Sequence, residues 1–244
     1  MLAIIIAAVI PIVFIAFVIY LLDTEREPIA LLIRCFLWGM IIVIPVVLVE
    51  SLLQMFGNNF GLNSFAQSIY DAFLIAGSTE EVFKFVAVWH ILRKTKYFDQ
   101  FYDGIVFAVF VSLGFALVEN ILYVAEHGMT IALIRGFLSV PAHAFFAIFM
   151  GYHLSLWRIG KPHHRAANLI LAIVIPITVH GLFDFFLMDV SKRVESHPFI
   201  VIVYMLAFFS LNIWFWRAAY KRIKFYLKKD LQNLNLHKKE KNNS

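Results

Sequence analysis

Glu80, Glu81 and Lys84 stand in the middle of the apolar run Gly77-Ser78-Thr79-Glu80-Glu81-Val82-Phe83-Lys84-Phe85. On a helix, i, i+3 and i, i+4 spacing sets the ammonium beside both carboxylates. A nearby cation favours the ionised carboxylate and a dry surrounding opposes it, and this balance tunes a carboxylate as a general base. The other reading is a buried ion pair that only orders a bundle. Later apolar segments add Glu119 and Asn120, His143, and His180 with Asp184. Asp184 lies four residues after His180, so it can fix the tautomer and orientation of that imidazole. Asn120 can donate to a developing oxyanion or hydrogen-bond between helices. Arg135, Ser139 and His143 fall on one helical stripe, with Arg135 near enough to a helix end to snorkel. Carboxylates with imidazoles suit hydrolysis by an activated water. They also suit Zn²⁺, for which Glu80, Glu81, Glu119, His143 and His180 are the candidate ligands.

The elements that must carry these groups follow from composition. The chain has 244 residues, 61% hydrophobic and 15% charged, with a mean hydropathy of +0.80. Near-continuous apolar runs rather than alternating ones predict an all-α, polytopic transmembrane bundle, since backbone groups in hydrocarbon must be satisfied internally. Each charge at a bilayer centre costs roughly 2.5–3.5 kcal/mol, so polar groups on other helices must compensate for Glu80, Glu81 and Lys84. Cys35 is the single cysteine, which excludes an internal disulfide. The net charge of +5 hides a division: residues 217–244 carry +7 and the remainder −2. A basic stretch directly after a span reads as a topology signal on anionic headgroups, not as a nucleic-acid site.

About seven spans are expected, near residues 1–22, 29–56, 70–92, 104–125, 131–156, 166–188 and 199–216, with no internal repeat. Residues 1–216 form the membrane domain and 217–244 a basic cytoplasmic tail. The first apolar run lacks a basic leader and a cleavage site, which predicts a retained helix. Lys and Arg concentrate after the first, third, fifth and seventh spans, which places the N-terminus outside and the C-terminus inside. That orientation sets the polar residues of four spans in one layer of the outer half, predicting a shared water-accessible cavity that opens outward. Ser78-x-x-Glu81 has the form of a capping box, which leaves open a helix that starts within the membrane at Ser78.

The chain has no His-Glu-x-x-His, no Gly-x-Ser-Gly and no Gly-x-Gly-Asp motif, so glutamate and histidine remain. Glu80-Glu81-x-x-Lys84, Asp103-Gly104, Gly114-Phe115-Ala116-x-x-Glu119-Asn120-x-x-Tyr123, Arg135 with His143, Gly151-Tyr152 and His180-x-x-x-Asp184 occur in this order. Together they resemble the PrsW family of bacterial membrane proteases, over about residues 70–190. The resemblance implies a site-1 protease that cuts a membrane-spanning anti-sigma factor on its extracytoplasmic side and so releases a stress sigma factor. It also implies kinship with the glutamate-dependent CAAX prenyl endopeptidases.

The expected function is therefore intramembrane peptide-bond hydrolysis in the bacterial cell membrane, with a membrane-anchored protein as substrate and no nucleic-acid partner. Glu80 or Glu81 acts as base, Lys84 keeps the pair charged, and His143 and His180 donate to the oxyanion or leaving amine. Glu119, Asn120 and Asp184 position them. No cofactor is required in this reading, and Zn²⁺ stays open. The alternative from another class is a transporter or channel that uses the buried charges as an ion or proton path.

Overall fold

The protein is represented by a computed structural model that describes residues 2–127, 134–194 and 197–242. Its regular elements are all helical among these residues. They form α1 (Leu2–Leu22), α2 (Ile29–Gly57), α3 (64–94), α4 (Asp103–His127), α5 (Ile134–Ile159), α6 (Arg165–Arg193) and α7 (Pro198–Asn242). Helices α2, α4, α5, α6 and α7 contain stretches long and apolar enough to cross a membrane. Their outward faces are apolar, as at Ile44, Leu48 and Leu52 of α2 and Ile202, Leu206 and Phe209 of α7. A surface of that kind suits a lipid surround. The chain is a multi-pass membrane protein with the helical architecture expected.

Helix α4 is the hub. Its residues Ile105, Val106, Phe107, Val109, Val111 and Leu113 are fully buried, and α1, α2 and α5 pack against it. Gly104 meets Gly151 of α5 so closely that a Cβ on Gly151 would lie 2.3 Å from the Gly104 carbonyl oxygen. Helix α2 is interrupted at Ile42, one turn before Pro45, whose missing N–H leaves the Ile41 carbonyl without its helical partner.

Helix α3 answers the question posed by the capping-box pattern. It begins at Asn63, whose side chain accepts from the Ala66 N–H at 2.9 Å, and continues unbroken through Ser78. Ser78 has helical angles and spends its hydroxyl on the Phe73 carbonyl five residues back, at 2.7 Å, so it caps nothing. Between Tyr70 and Ser78 the helix is wound as a π-helix over nine residues. Such stretches are rare and are found mostly as single turns at functional sites. Here the segment packs on α6, where a Cβ on Gly181 would lie 2.3 Å from the Phe73 ring and one on Gly77 would lie 3.1 Å from the Ile177 carbonyl oxygen. That close approach sets His180 beside Glu81.

The basic C-terminal segment continues α7 without a break, so the compositional boundary at residue 216 does not coincide with the end of a helix. Asp230 accepts from the N–H groups of Phe101 and Tyr102 at 3.0 and 2.9 Å, and Tyr226 donates to the Tyr152 carbonyl. The tail thus closes the α3–α4 connection that leads into the hub. Asp230→Ala leaves two buried N–H donors unpaired, and a loss of about 1–3 kcal/mol is expected, measured as a lower melting temperature in detergent.

Asp23 and Glu27, between α1 and α2, join this end. Burial, followed by the neighbouring charges of Asp23 and Asp99, pushes Glu27 up to about 8. Burial, partly opposed by the backbone N–H groups of Glu25 and Glu27, pushes Asp23 up to about 6. Both folded values lie above the unfolded ones, so the folded protein binds more protons. The stabilisation is complete below pH about 4 and is lost as pH rises toward about 8. The melting temperature should therefore fall between pH 5 and pH 8.5, and Glu27→Gln should flatten the upper part of that decline.

Candidate active site

The groups singled out from spacing come from four helices and meet at one place. Lys84 lies at the centre: its Nζ is 2.9 Å from Glu80 Oε2, 2.8 Å from Glu81 Oε1 and 3.1 Å from His143 Nδ1, with the Phe115 ring centroid 4.3 Å away. It is fully buried, and this set of acceptors is what keeps an ammonium there.

An ammonium only donates, so His143 Nδ1 accepts and its Nε2–H donates to Glu119 Oε2 at 2.8 Å. His143 is thereby fixed in one tautomer with both nitrogens engaged. Glu119 also takes an N–H of Arg135 at 2.5 Å, and the guanidinium lies 3.8 Å from the Tyr123 ring centroid. His180 faces Glu81 Oε1 through Nδ1 at 3.0 Å and Asp184 Oδ2 through Nε2 at 3.2 Å. Both contacts are satisfied when both nitrogens carry protons. The imidazole stacks on Phe146, with centroids 4.6 Å apart.

A cavity of about 810 Å³ opens from this cluster. At its inner part are Glu80, Phe115, His143, Phe146 and His180; at its mouth are Gln54, Asp71 and Lys192, where α2 and α6 end and α3 begins. Glu80 lines it and Glu81 does not. Glu81 sits behind, fully buried, with Oε2 lacking a hydrogen-bond partner among the described residues.

Glu80, Glu81, Lys84, Glu119, His143, His180 and Asp184 are therefore brought together. Asn120 is not. It is buried outside the cavity lining, and neither side-chain amide atom has a hydrogen-bond partner among the described residues. One residue after Glu119 lies about 100° further round the helix, and here that turn takes Asn120 off the cavity that Glu119 lines. The expected donor role of His143 also meets an obstacle, because both ring nitrogens are already engaged. Arg135, expected to snorkel, instead pairs with Glu119 and lines the cavity, and Glu50 of α2 lines it too. The four-residue spacing of Arg135, Ser139 and His143 was the available signal for the first; nothing local marked the second.

The chain matches the family described as PrsW family intramembrane metalloprotease over residues 27–212. Protease PrsW of Clostridioides difficile is 37% identical over 193 residues, covering 77% of this chain and 79% of that protein. Protease PrsW of Oceanobacillus iheyensis is 35% identical over 215 residues, covering 87% and 96%. Protease PrsW of Bacillus subtilis is 36% identical over 220 residues, covering 88% and 93%. The chain belongs to the PrsW family. No solved structure matches it.

As a PrsW family member the protein is a membrane-embedded peptidase of the bacterial cell membrane, which decides against the transporter alternative. The family description is of a metalloprotease, and candidate donors are gathered here, with His143 and His180 able to ligate only through a ring nitrogen released from its present partner. Glu80 with Glu119 and His143, and Glu80 with Glu81 and His180, each bring three ligand atoms within 4.8 Å of one another. The unpartnered Oε2 of Glu81 is a further buried donor. Two carboxylates and an imidazole make a set suited to Zn²⁺.

Proposed function

We propose that the protein hydrolyses a peptide bond of a membrane-anchored protein close to the extracytoplasmic face, with an anti-sigma factor as the substrate class and release of a stress sigma factor as its consequence. The supporting observation is the carboxylate of Glu80 on the wall of the cavity, with His180 beside it and Lys84 behind. The N-terminus lies outside, so the mouth formed by the ends of α2 and α6 and the start of α3 faces out.

Glu80 takes a proton from a water molecule as its oxygen attacks the scissile carbonyl carbon. The oxyanion of the tetrahedral intermediate is met by the N–H groups of Arg135 that are not spent on Glu119. As the intermediate collapses the C–N bond breaks, and the proton passes from Glu80 or His180 to the leaving amine. Glu81, Lys84, Glu119, His143 and Asp184 are positioning residues that hold these groups. Where Zn²⁺ is bound by Glu80 and its neighbours, it supplies a Lewis acid and a more acidic bound water.

The test is co-expression with a candidate membrane-anchored anti-sigma factor. The wild-type protein removes the extracytoplasmic portion, and His180→Ala does not although it accumulates in the membrane. Intact substrate beside the wild-type protein overturns that substrate class; cleavage by His180→Ala overturns the role of the imidazole. Loss of cleavage by purified protein after chelation, with recovery on adding Zn²⁺, assigns the metal; unchanged cleavage excludes it.

A further inference from the structure

Five carboxylates line the cavity: Glu50, Asp71, Glu80, Glu119 and Asp184. Four of them have a cationic or imidazole partner. Asp71 faces Lys192 at 3.7 Å, Glu80 faces Lys84, Glu119 faces Arg135, and Asp184 faces His180. Glu50 has neither an ion pair nor a side-chain hydrogen bond among the described residues.

Its position on α2 is not incidental. Val43, Val46, Val47, Glu50 and Gln54 are the α2 residues on the cavity wall, and their spacing makes one helical stripe. The side chains nearest the inner end of that stripe are valines, and Gln54 at the mouth donates to Asn58. Glu50 is thus the one acidic group on this wall, it has no partner among the described residues, and it shares the cavity with Glu80, Glu119 and His180. A carboxylate set among valines without a partner is costly to ionise, and a cation that joins it offsets that cost.

We infer that Glu50 is a specificity-determining residue that receives a cationic side chain, Lys or Arg, of the substrate segment lying in the cavity. This rests on the proteolytic reading of the same site. Glu50 lines the same cavity as Glu80, so the basic residue belongs to the part of the substrate segment that the cavity holds. A substrate ammonium or guanidinium then balances the carboxylate inside the cavity, where a neutral residue leaves it unpaired.

The full-length protein is reconstituted with a single-span reporter set whose outer juxtamembrane residues carry Lys, Gln or Glu at each position in turn, and the fragments are sequenced. The wild-type protein should cleave the Lys reporter about tenfold faster than the Gln reporter at one position, a difference of about 1.4 kcal/mol. In Glu50→Gln that ratio should fall to near one, and Glu50→Lys should turn the preference toward the Glu reporter. A structural role for Glu50 would not produce that reversal. An equal Lys preference in wild type and Glu50→Gln, or no charge preference in the wild type, overturns the assignment. A wild-type protein that cleaves no reporter at all overturns the proteolytic reading, and this inference with it.

Discussion

Glu80→Gln should lower the cleavage rate by about 10³-fold while the protein accumulates and melts close to wild type. The amide keeps the shape of the side chain and cannot take a proton from water. Lys84 retains its contacts with Glu81 and His143, so the interior keeps its counter-charge. Glu81→Gln should also be inactive, but for a different reason visible in a different measurement. Glu81 is removed from the cavity and holds both Lys84 and His180, so its loss should lower the melting temperature as well as the rate. If Glu81→Gln is stable and inactive while Glu80→Gln still turns over, the two roles are reversed.

Lys84→Met is expected to have the largest effect on stability. Methionine fills much of the same space and removes the charge. Glu80 and Glu81 are then left adjacent, 5% and 0% exposed, without their shared cation. Breaking a buried ion pair from one side costs about 3–5 kcal/mol. At about 2–4 °C per kcal/mol for a chain of this size, the melting temperature should drop by roughly 6–20 °C, or the protein should fail to accumulate. The second substitution that identifies the cause is Glu81→Gln in the Lys84→Met background, which removes one orphaned charge and should restore part of the loss. A Lys84→Met protein that melts within about 2 °C of wild type would falsify a central role for the ammonium.

What the sequence made legible, and what it did not, follows the range of each interaction. Glu80, Glu81 and Lys84 meet within one turn of one helix, as do His180 and Asp184, so spacing alone pairs them. The contacts of Glu119 with Arg135 and His143 cross between α4 and α5 and have no fixed spacing to read. Composition located the helices because hydrocarbon demands long apolar runs. It missed the length of α7, where amphipathic packing and Asp230 hold a polar helix that hydropathy takes for a tail. Asn120 follows Glu119 in sequence, but the step of about 100° takes it off the cavity wall, and spacing alone does not tell which of two neighbours faces inward. The Ser78-x-x-Glu81 pattern misled because a capping box is defined by side-chain types, while a cap also needs a chain that enters the helix there.

The π-helical stretch of α3 gives the site an unusual kind of sensitivity. An α-helix turns about 100° for each residue, and a π-helix, with its wider i→i+5 ring, turns less. Seven of its nine residues, Ala72 to Ser78, lie between Asp71 at the mouth and Glu80 at the inner wall, so their winding sets the rotational phase at which Glu80 and Glu81 emerge. Deleting one residue there would leave every side chain of the cluster chemically intact while turning the Glu80 face toward a neighbouring helix or lipid. The protein thus keeps its reactive carboxylate in place by counting residues as well as by contacts, and a single omission upstream would act like a change in the catalytic residue itself.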